Sequence, residues 1–162
     1  MPGTIAQLSV SKGGVPKLPV MEAEVGLEGL AGDGHDEPLT IHGGPERALC
    51  LFALERIEAL AAEGHPIFAG ATGENVTIRG VDWDTVVPGA RLRLGNDVLI
   101  EITRYTTPCK TNARWFTGGQ FNRMHQNLHP GWSRVYARVI TGGIVRPGEP
   151  VEILVAPATA PA

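Results

Sequence analysis

Apolar and polar residues alternate along several short stretches of this chain, and such alternation predicts β-strands. The pattern is clearest in residues 133–141, where Val135, Ala137 and Val139 share one face. Weaker forms of the same pattern predict strands within residues 4–10, 17–25, 76–79, 91–94, 98–102 and 151–155. The segment Gly95-Asn96-Asp97 has the residue types of a tight turn, so we expect it to join two of these strands as a hairpin.

One longer stretch, residues 47–63, has the apolar spacing of a helix instead. Its apolar stripe consists of Leu49, Phe52, Ala53, Ile57 and Leu60. Pro45 precedes the stretch at a position typical of a first helical turn. Gly64 and Pro66 follow it, and residues of these types commonly end a helix. The pattern therefore predicts one long helix.

Many short strands and one long helix predict a fold class that is mainly β with some α. We expect a small, mostly antiparallel β-barrel with one long helix and short helices. The chain has 21 glycines and 13 prolines, as a fold with many tight turns requires. A length of 162 residues suits a single domain, which we expect to span residues 1–155, followed by a flexible Ala/Pro-rich tail at residues 156–162.

Composition and charge narrow the function classes. No apolar run is long enough to span a bilayer, and the first residues lack the pattern of a signal peptide, so we expect a cytoplasmic protein. The formal net charge of −3 argues against nucleic-acid binding. Residues 101–140 nevertheless contain six cations and one acid, a net charge of +5, so the rest of the chain carries −8. This basic stretch predicts a small anionic ligand nearby.

Cys109 lies inside the basic stretch and is the first candidate for chemistry. Lys110, Arg104 and Arg114 would favour the thiolate form, which is both a nucleophile and a soft metal ligand. The alternative is a small buried cysteine without a chemical role, which is the commoner case. The second cysteine, Cys50, falls between two leucines of the predicted helix, and there core packing is the better interpretation.

A glycine-rich segment, His42-Gly43-Gly44-Pro45, leads into the predicted helix and is the second candidate. Free backbone N–H groups at a helix start bind anions, and two glycines let a ligand approach the backbone closely. A plain glycine turn explains the segment equally well. A zinc site is not supported, because no recognised ligand spacing connects the acidic and histidine residues of this loop, which are Asp33, His35, Asp36 and His42.

Six short motifs occur in a specific order along nearly the whole chain. They are Gly13-Gly14-Val15-Pro16-Lys17, Gly29-Leu30-Ala31-Gly32-Asp33, His42-Gly43-Gly44-Pro45 with Arg47-Ala48, Gly73-Glu74-Asn75, Pro88-Gly89 and Pro108-Cys109-Lys110. Each motif is unspecific alone, but together they resemble the MOSC family, the domain found at the C-terminus of molybdenum-cofactor sulfurases. The resemblance is closest to the stand-alone bacterial branch whose members protect cells from N-hydroxylated purines.

The resemblance implies a β-barrel-like fold with a molybdenum–pterin cofactor (molybdopterin) in a cleft. Cys109 matches the family cysteine that ligates molybdenum or carries a persulfide, so it is the catalytic and metal-binding candidate. The relatives that are enzymes reduce N-hydroxylated bases and amidoximes with electrons from a flavin or haem protein. The cofactor-binding candidates in the matching motifs and the basic stretch are His42, Gly43, Gly44, Arg47, Glu74, Asn75, Arg104, Lys110 and Arg114.

The chain departs from the family pattern in a few places. Thr106 replaces an arginine often found three residues before the family cysteine, and we expect Arg104 to substitute for it. We expect neither the C-terminal helical extension of the bacterial reductases nor the pyridoxal-phosphate domain of the full sulfurases, and therefore no pyridoxal phosphate. The leading hypothesis is a molybdenum-cofactor-dependent oxidoreductase that reduces N-hydroxylated compounds. A sulfur (persulfide) or cofactor carrier without turnover, and an interaction module with a defunct site, are the alternatives.

Overall fold

Residues 2–34 and 44–155 are described by the computed structural model, and strands dominate this part of the chain. Its strands are β1 (Gly3–Val10), β2 (Leu18–Val20), β3 (Ala23–Gly26), β4 (Gly29–Leu30), β5 (Leu49–Ala53), β6 (Val76–Arg79), β7 (Arg91–Leu94), β8 (Val98–Tyr105), β9 (Val135–Thr141), β10 (Gly143–Val145) and β11 (Pro150–Val155). The α-helix in these residues is α1 (Leu54–Ala62). The 3-10 helices are Pro45–Arg47, Trp83–Thr85, Lys110–Trp115, Thr117–Gly119 and Phe121–Met124.

Seven of the described strands close into a barrel in the order β1, β11, β7, β8, β9, β5, β6 and back to β1. The pairing of Gly3 with Val151 between β1 and β11 completes the ring. Strands β5 and β6 are parallel, and the other pairs in the ring are antiparallel. The predicted fold class, a small and mostly antiparallel β-barrel, is confirmed.

Two smaller features surround the barrel. Strand β2 extends the sheet beside β1, and β10, β3 and β4 form a separate three-stranded sheet. No helix in residues 2–34 and 44–155 is long and apolar enough to cross a membrane.

The core follows the alternation in the sequence. Val98, Ile100 and Ile102 of β8 are at most 1% exposed, and so are Val135 and Ala137 of β9. Burying such rows of branched side chains removes apolar surface from water, which is the main favourable term in folding. The turn Gly95-Asn96-Asp97 joins β7 and β8, as predicted.

The helix predicted over residues 47–63 is wrong in its first half. Residues Leu49–Ala53 form β5, and α1 begins only at Leu54. All five residues of β5 are buried, so this strand has no polar alternation. The spacing of its apolar residues therefore matches a helical stripe as well as a strand. The predicted end of the helix is confirmed, because Gly64 follows the last residues of α1 with a positive φ of 102°.

Candidate functional site

Cys109 lies just beyond β8, in a turn that leaves the barrel wall. The preceding Thr106 is buried and donates its backbone N–H to the carbonyl oxygen of Arg134 (3.1 Å), which fixes the path of the exit. Cys109 itself is the N-cap residue of the 3-10 helix Lys110–Trp115. Its side chain is half-buried, and its Sγ lies 2.8 Å from the Thr111 Oγ1. The sulfur is therefore both anchored and accessible.

Asn112 holds the Cys109 turn in place. Its Oδ1 accepts the backbone N–H of Cys109 at 3.3 Å, and its Nδ2 donates to the carbonyl oxygen of Thr72 at 3.1 Å. The Arg134 Nη1 donates to the same Thr72 oxygen at 2.6 Å. Asn112 is 2% exposed, so these bonds form away from competing water. The turn is thus tied to the segment before β6 and to the residue that precedes β9.

Arg134 contributes a buried positive charge next to this turn. The residue is 7% exposed, and its Nε is buried without a hydrogen-bond partner in the described part of the chain. Its Nη2 lies 3.5 Å from the Asn112 Oδ1, which is a long contact. A buried guanidinium that is not fully paired costs free energy, so such groups are found where a ligand or a catalytic role uses them. Arg134 was not among the predicted site residues.

Tyr136 is the second residue that sequence reasoning missed. It lies on β9, opposite Arg104 of β8 and opposite Cys50 of β5, so these three side chains share one face of three neighbouring strands. The Arg47 guanidinium lies 5.8 Å from the centre of the Tyr136 ring.

Burial raises the pKa of the Tyr136 phenol above its ordinary value. The Cys50 thiol raises this pKa further, the Arg134 and Arg47 guanidinium groups lower it, and the Cys109 thiol raises it. The alternation in residues 133–141 had placed Arg134 and Tyr136 on one face, and this was the available signal.

Glu74 and Asn75 are fully engaged inside the protein. The Glu74 carboxyl accepts hydrogen bonds from the Gly70 N–H (2.9 Å) and from the hydroxyls of Thr72 and Thr77 (3.3 and 3.2 Å). Burial raises the pKa of Glu74 above its ordinary value. These bonds fix the turn that contains Thr72, so Glu74 supports the wall of the site.

Asn75 joins three parts of the chain. Its Oδ1 accepts the Cys50 N–H at 3.0 Å, and its Nδ2 donates to the Ser9 carbonyl (3.3 Å) and to the Asp33 carboxylate (2.8 Å). The other oxygen of Asp33 forms a buried ion pair with Lys17 at 2.6 Å. The loop that contains Asp33 is thereby bonded to the barrel wall behind the site.

The predicted cations of the basic stretch lie around the site at its surface. Arg104 and Lys110 are exposed. Arg114 is exposed too; it donates to the Val15 carbonyl oxygen at 3.2 Å and stacks over the Trp115 ring at 4.5 Å. Arg114 thus ties the turn at residues 13–16 to the 3-10 helix that follows Cys109.

The predicted glycine segment is described only in part. His42 and Gly43 lie outside the described residues. Gly44, with a φ of 83°, is the N-cap of the three-residue 3-10 helix Pro45–Arg47. The expectation that this segment opens a long helix is therefore wrong, because Pro45–Arg47 is a 3-10 helix and α1 begins only at Leu54. A binding role for the segment stays a prediction.

The other cysteine has the environment predicted for it. Cys50 is 6% exposed, and burial raises the pKa of its thiol to about 11. It belongs to β5 and not to a helix; it is buried as predicted, and packing as its role stays a prediction.

The donor set of the site suits a metal that brings ligands of its own. No three His, Cys, Asp or Glu side chains come together as a metal site anywhere in residues 2–34 and 44–155. The Cys109 sulfur is a soft donor, and the buried Arg134 guanidinium with its unpartnered Nε suits an anionic group beside it. One sulfur and an adjacent buried cation fit a metal–pterin cofactor that carries a phosphate.

Comparisons with known proteins agree with this geometry. A family model described as MOSC domain matches residues 38–152. Protein YflK of Bacillus subtilis (strain 168) is 30% identical over 146 residues, which cover 87% of this chain and 63% of YflK. A protein named Reductase from Gibberella moniliformis is 30% identical over 134 residues, 80% of this chain and 23% of that protein. The crystal structure of YiiM from Geobacillus stearothermophilus has a TM-score of 0.72 at 26% identity, covering 95% of this chain and 76% of that one.

Proposed function

Because this chain belongs to the MOSC domain family, which is associated with the molybdenum cofactor, we propose that it binds this cofactor through Cys109 and reduces N-hydroxylated compounds. The observation that supports the proposal best is the half-buried Cys109 sulfur, fixed by Asn112 beside the buried Arg134. One relative is named a reductase, and this chain spans 23% of it. The name of that one relative is the reason to propose a reductase before a carrier.

When bound, the cofactor supplies the two-electron chemistry that breaks the nitrogen–oxygen bond. The protein's own part begins with the Cys109 sulfur, which would hold the metal. The Thr111 hydroxyl, 2.8 Å from that sulfur, can donate a hydrogen bond to the thiolate and orient it. Asn112 keeps the turn rigid, so the sulfur does not have to be repositioned during turnover.

The charged residues have two roles in this proposal. Arg134 is buried and would neutralise an anionic part of the cofactor through its Nε. The exposed cations Arg104, Lys110 and Arg114 would attract the anion to the cleft.

The remaining candidates would form the walls of the cleft. Arg47 would close one side, together with the segment from His42 to Gly44, while Glu74 and Asn75 support the opposite wall from behind. The partners we propose are a small N-hydroxylated substrate and an electron donor protein that carries flavin or haem. The proposed location is the cytoplasm.

The test is reduction of 6-hydroxylaminopurine to adenine by protein purified anaerobically with cofactor supplied, with reduced methyl viologen as the artificial donor. Each turnover consumes two electrons and two protons and releases the substrate oxygen as water. We expect Cys109→Ala to lower the rate by about a hundredfold or more, because the metal ligand is lost. Cys50→Ala makes the same substitution at the other cysteine, which is buried on β5, and this variant should retain most of the rate.

Two results would contradict the proposal. The first is a cofactor-loaded wild type that does not reduce the base. The second is stoichiometric persulfide on Cys109 without reduction, which would favour the sulfur carrier instead.

A further inference from the structure

A cavity of about 220 Å³ lies between the 3-10 helix Trp83–Thr85, the end of β8 and the residues that precede β9. The residues that line it include three with rings, Trp83, Tyr105 and Pro130, and two with polar side chains, Asp84 and Gln126. An apolar protein cavity of about 150 Å³ holds benzene. This cavity therefore has room for a six-membered ring with substituents.

The cavity is separate from the candidate site around Cys109. Neither Cys109 nor Arg134 is among the described residues that line it. Ser133 does line it, and the next residue, Arg134, donates to the Thr72 carbonyl oxygen beside the Cys109 turn. Consecutive residues of one segment thus belong to two different places.

Hydrogen bonds fix one wall of the cavity in place. Trp83 is 5% exposed, and its indole N–H donates to the Ser133 carbonyl oxygen at 3.0 Å. The Asp82 carboxylate caps the 3-10 helix by accepting the Asp84 backbone N–H at 3.2 Å. Ligand sites in proteins are usually formed before the ligand binds, and they combine ring-lined walls with a few polar groups. The cavity has both properties.

The two polar side chains of the lining converge on Gly131. The Gly131 N–H donates to the Gln126 Oε1 at 3.1 Å. A Cβ at position 131 would lie only 2.8 Å from the Asp84 Oδ1, so the close approach of this carboxylate depends on a glycine. In the part of the chain that the structure describes, the other two polar atoms, the Asp84 Oδ2 and the Gln126 Nε2, have no hydrogen-bond partner. A free acceptor and a free donor therefore lie side by side.

Arg56 decides which charge the site accepts. Its Nη2 lies 3.2 Å from the Asp84 Oδ1, and its Nε donates to the Gly131 carbonyl oxygen at 2.8 Å. Because this guanidinium already pairs with the carboxylate, a cationic ligand would gain little there. A neutral N–H group can still donate to the second carboxylate oxygen, while the Gln126 amide donates to an adjacent acceptor.

We infer that this cavity is a second ligand site, which binds a neutral nitrogen heterocycle with an amino group next to a ring nitrogen. The amino group donates to Asp84, and the ring nitrogen accepts from Gln126. The ring of the ligand packs against the wall that Trp83 forms. Cytosine has this edge and the size of a single ring, so it is the probe.

The experiment measures dissociation constants on the full chain without cofactor by ligand-observed NMR. The two probes are cytosine and 2-hydroxypyrimidine, which has the same ring and oxygen but no amino group. We expect cytosine to bind with a dissociation constant below about 1 mM and about tenfold or more tightly than 2-hydroxypyrimidine. A site built to pair an amino group discriminates against an analogue without it.

Two variants each remove one half of the recognition. Asp84→Asn places an amide N–H where the ligand needs an acceptor, and it should abolish the preference for cytosine. Gln126→Glu keeps an oxygen for the Gly131 N–H but removes the donor, and it should weaken cytosine binding about tenfold. Asp97→Asn, at an exposed carboxylate in the hairpin before β8, is the matched control and should bind as the wild type does.

Cys109→Ala separates this inference from the proposed function. It should bind cytosine as the wild type does, because Cys109 does not line the cavity. The inference is overturned if the wild type does not bind cytosine, if it binds both probes equally, or if both cavity variants keep the preference. Cytosine binding that is lost in Cys109→Ala, or benzamidine binding more tightly than cytosine, would overturn it too. None of these results depends on whether the protein reduces N-hydroxylated compounds.

Discussion

At the scale of single residues, the two cysteines differ in access to solvent. Cys50 is 6% exposed on β5, whereas Cys109 is half-buried at a turn. Burial disfavours a thiolate, and it raises the pKa of Cys50 to about 11 although the Arg134 guanidinium acts to lower it. The two cysteine side chains therefore differ in reactivity because their surroundings differ.

This difference predicts selective alkylation. In the native protein without bound metal, iodoacetamide at about pH 8 should modify Cys109 and leave Cys50 intact, because little of the Cys50 thiol is ionised and it is buried. Mass spectrometry of the digested protein identifies the modified residue. Cys50→Ala should react as the wild type does, and Cys109→Ala should not react until the protein is unfolded. Modification of Cys50 in the folded wild type would contradict the structure.

Glu74 predicts a pH dependence of stability with a definite sign. Its pKa in the folded protein is raised from the ordinary 4.5 by burial. A raised folded pKa gives stability that is present below about pH 4.5 and lost as the pH rises through the folded value. Glu74→Gln cannot ionise, so this part of the pH dependence should disappear.

Urea unfolding of both proteins from about pH 4 to pH 7 measures this effect as the difference between two curves. At the acid end the variant should be less stable by about 1–3 kcal/mol, because an amide cannot accept all the hydrogen bonds of Glu74. The difference in the free energy of unfolding between the two proteins should become smaller toward neutral pH, where the wild type loses the contribution of protonated Glu74. Glu63 and Glu101, whose pKa values are lowered by hydrogen-bonded arginines, titrate alike in both proteins and cancel. Parallel curves would show that Glu74 does not titrate as its burial demands.

At the scale of elements, Asn75 is the joint between β1, β5 and the loop that contains Asp33. It is 3% exposed; it accepts a hydrogen bond from the Cys50 N–H and donates to the Ser9 carbonyl and to the Asp33 carboxylate. Asn75→Ala should lower the free energy of unfolding by about 3 kcal/mol, because buried partners are left unpaired at about 1–3 kcal/mol each. Chemical denaturation measures the loss.

Asn122→Ala, at an exposed asparagine, is the control for this prediction and should change stability by about 0.5 kcal/mol at most. An Asn75→Ala protein as stable as the control would mean that the hydrogen bonds of Asn75 do not contribute to the stability of the fold. The expected loss should also be accompanied by faster proteolysis of the loop, because Asp33 is then held by fewer bonds.

The elements also show how far the sequence alone predicts this fold. Strands β8 and β9 alternate between buried and exposed positions, so their faces and the hairpin before β8 were predictable. Strand β5 was not, because it is buried on both faces and its leucines and phenylalanine fit a helical stripe equally well. Alternation in the sequence reveals a strand only where one of its faces is polar, and β5 has no polar face.

The candidate site was predictable to a similar degree. Cys109 was singled out because it lies among cations in the sequence and matches the family cysteine, and its role stays a prediction. Arg134 was missed because its partners Thr72 and Asn112 lie far from it in sequence. Tyr136 was missed because the β8–β9 and β5–β9 pairings bring Arg104 and Cys50 beside it. Local pattern gives the face of a strand, but it does not say which strand lies next to it.

At the scale of the whole molecule, closure of the barrel and the distribution of charge position the site. The β1–β11 pairing completes the ring, and the turn with Cys109 leaves the wall between β8 and β9. The six cations of the basic stretch have three kinds of surroundings. Arg123 and Arg138 pair with the carboxylates of Glu63 and Glu101. Arg134 is buried beside Cys109, and Arg104, Lys110 and Arg114 are exposed. Four cations of the basic stretch, Arg104, Lys110, Arg114 and Arg134, are therefore left without a carboxylate partner among the described residues.

The measurement that tests the central claim most directly is the molybdenum content of protein purified without oxygen from cells that make the cofactor. The account predicts about one molybdenum per chain in the wild type and in Cys50→Ala, and almost none in Cys109→Ala, because a single thiolate holds the metal. Circular dichroism and the melting temperature should show that all three proteins are folded alike. Equal molybdenum in Cys109→Ala and the wild type, or a metal-free wild type in the presence of ample cofactor, would contradict it.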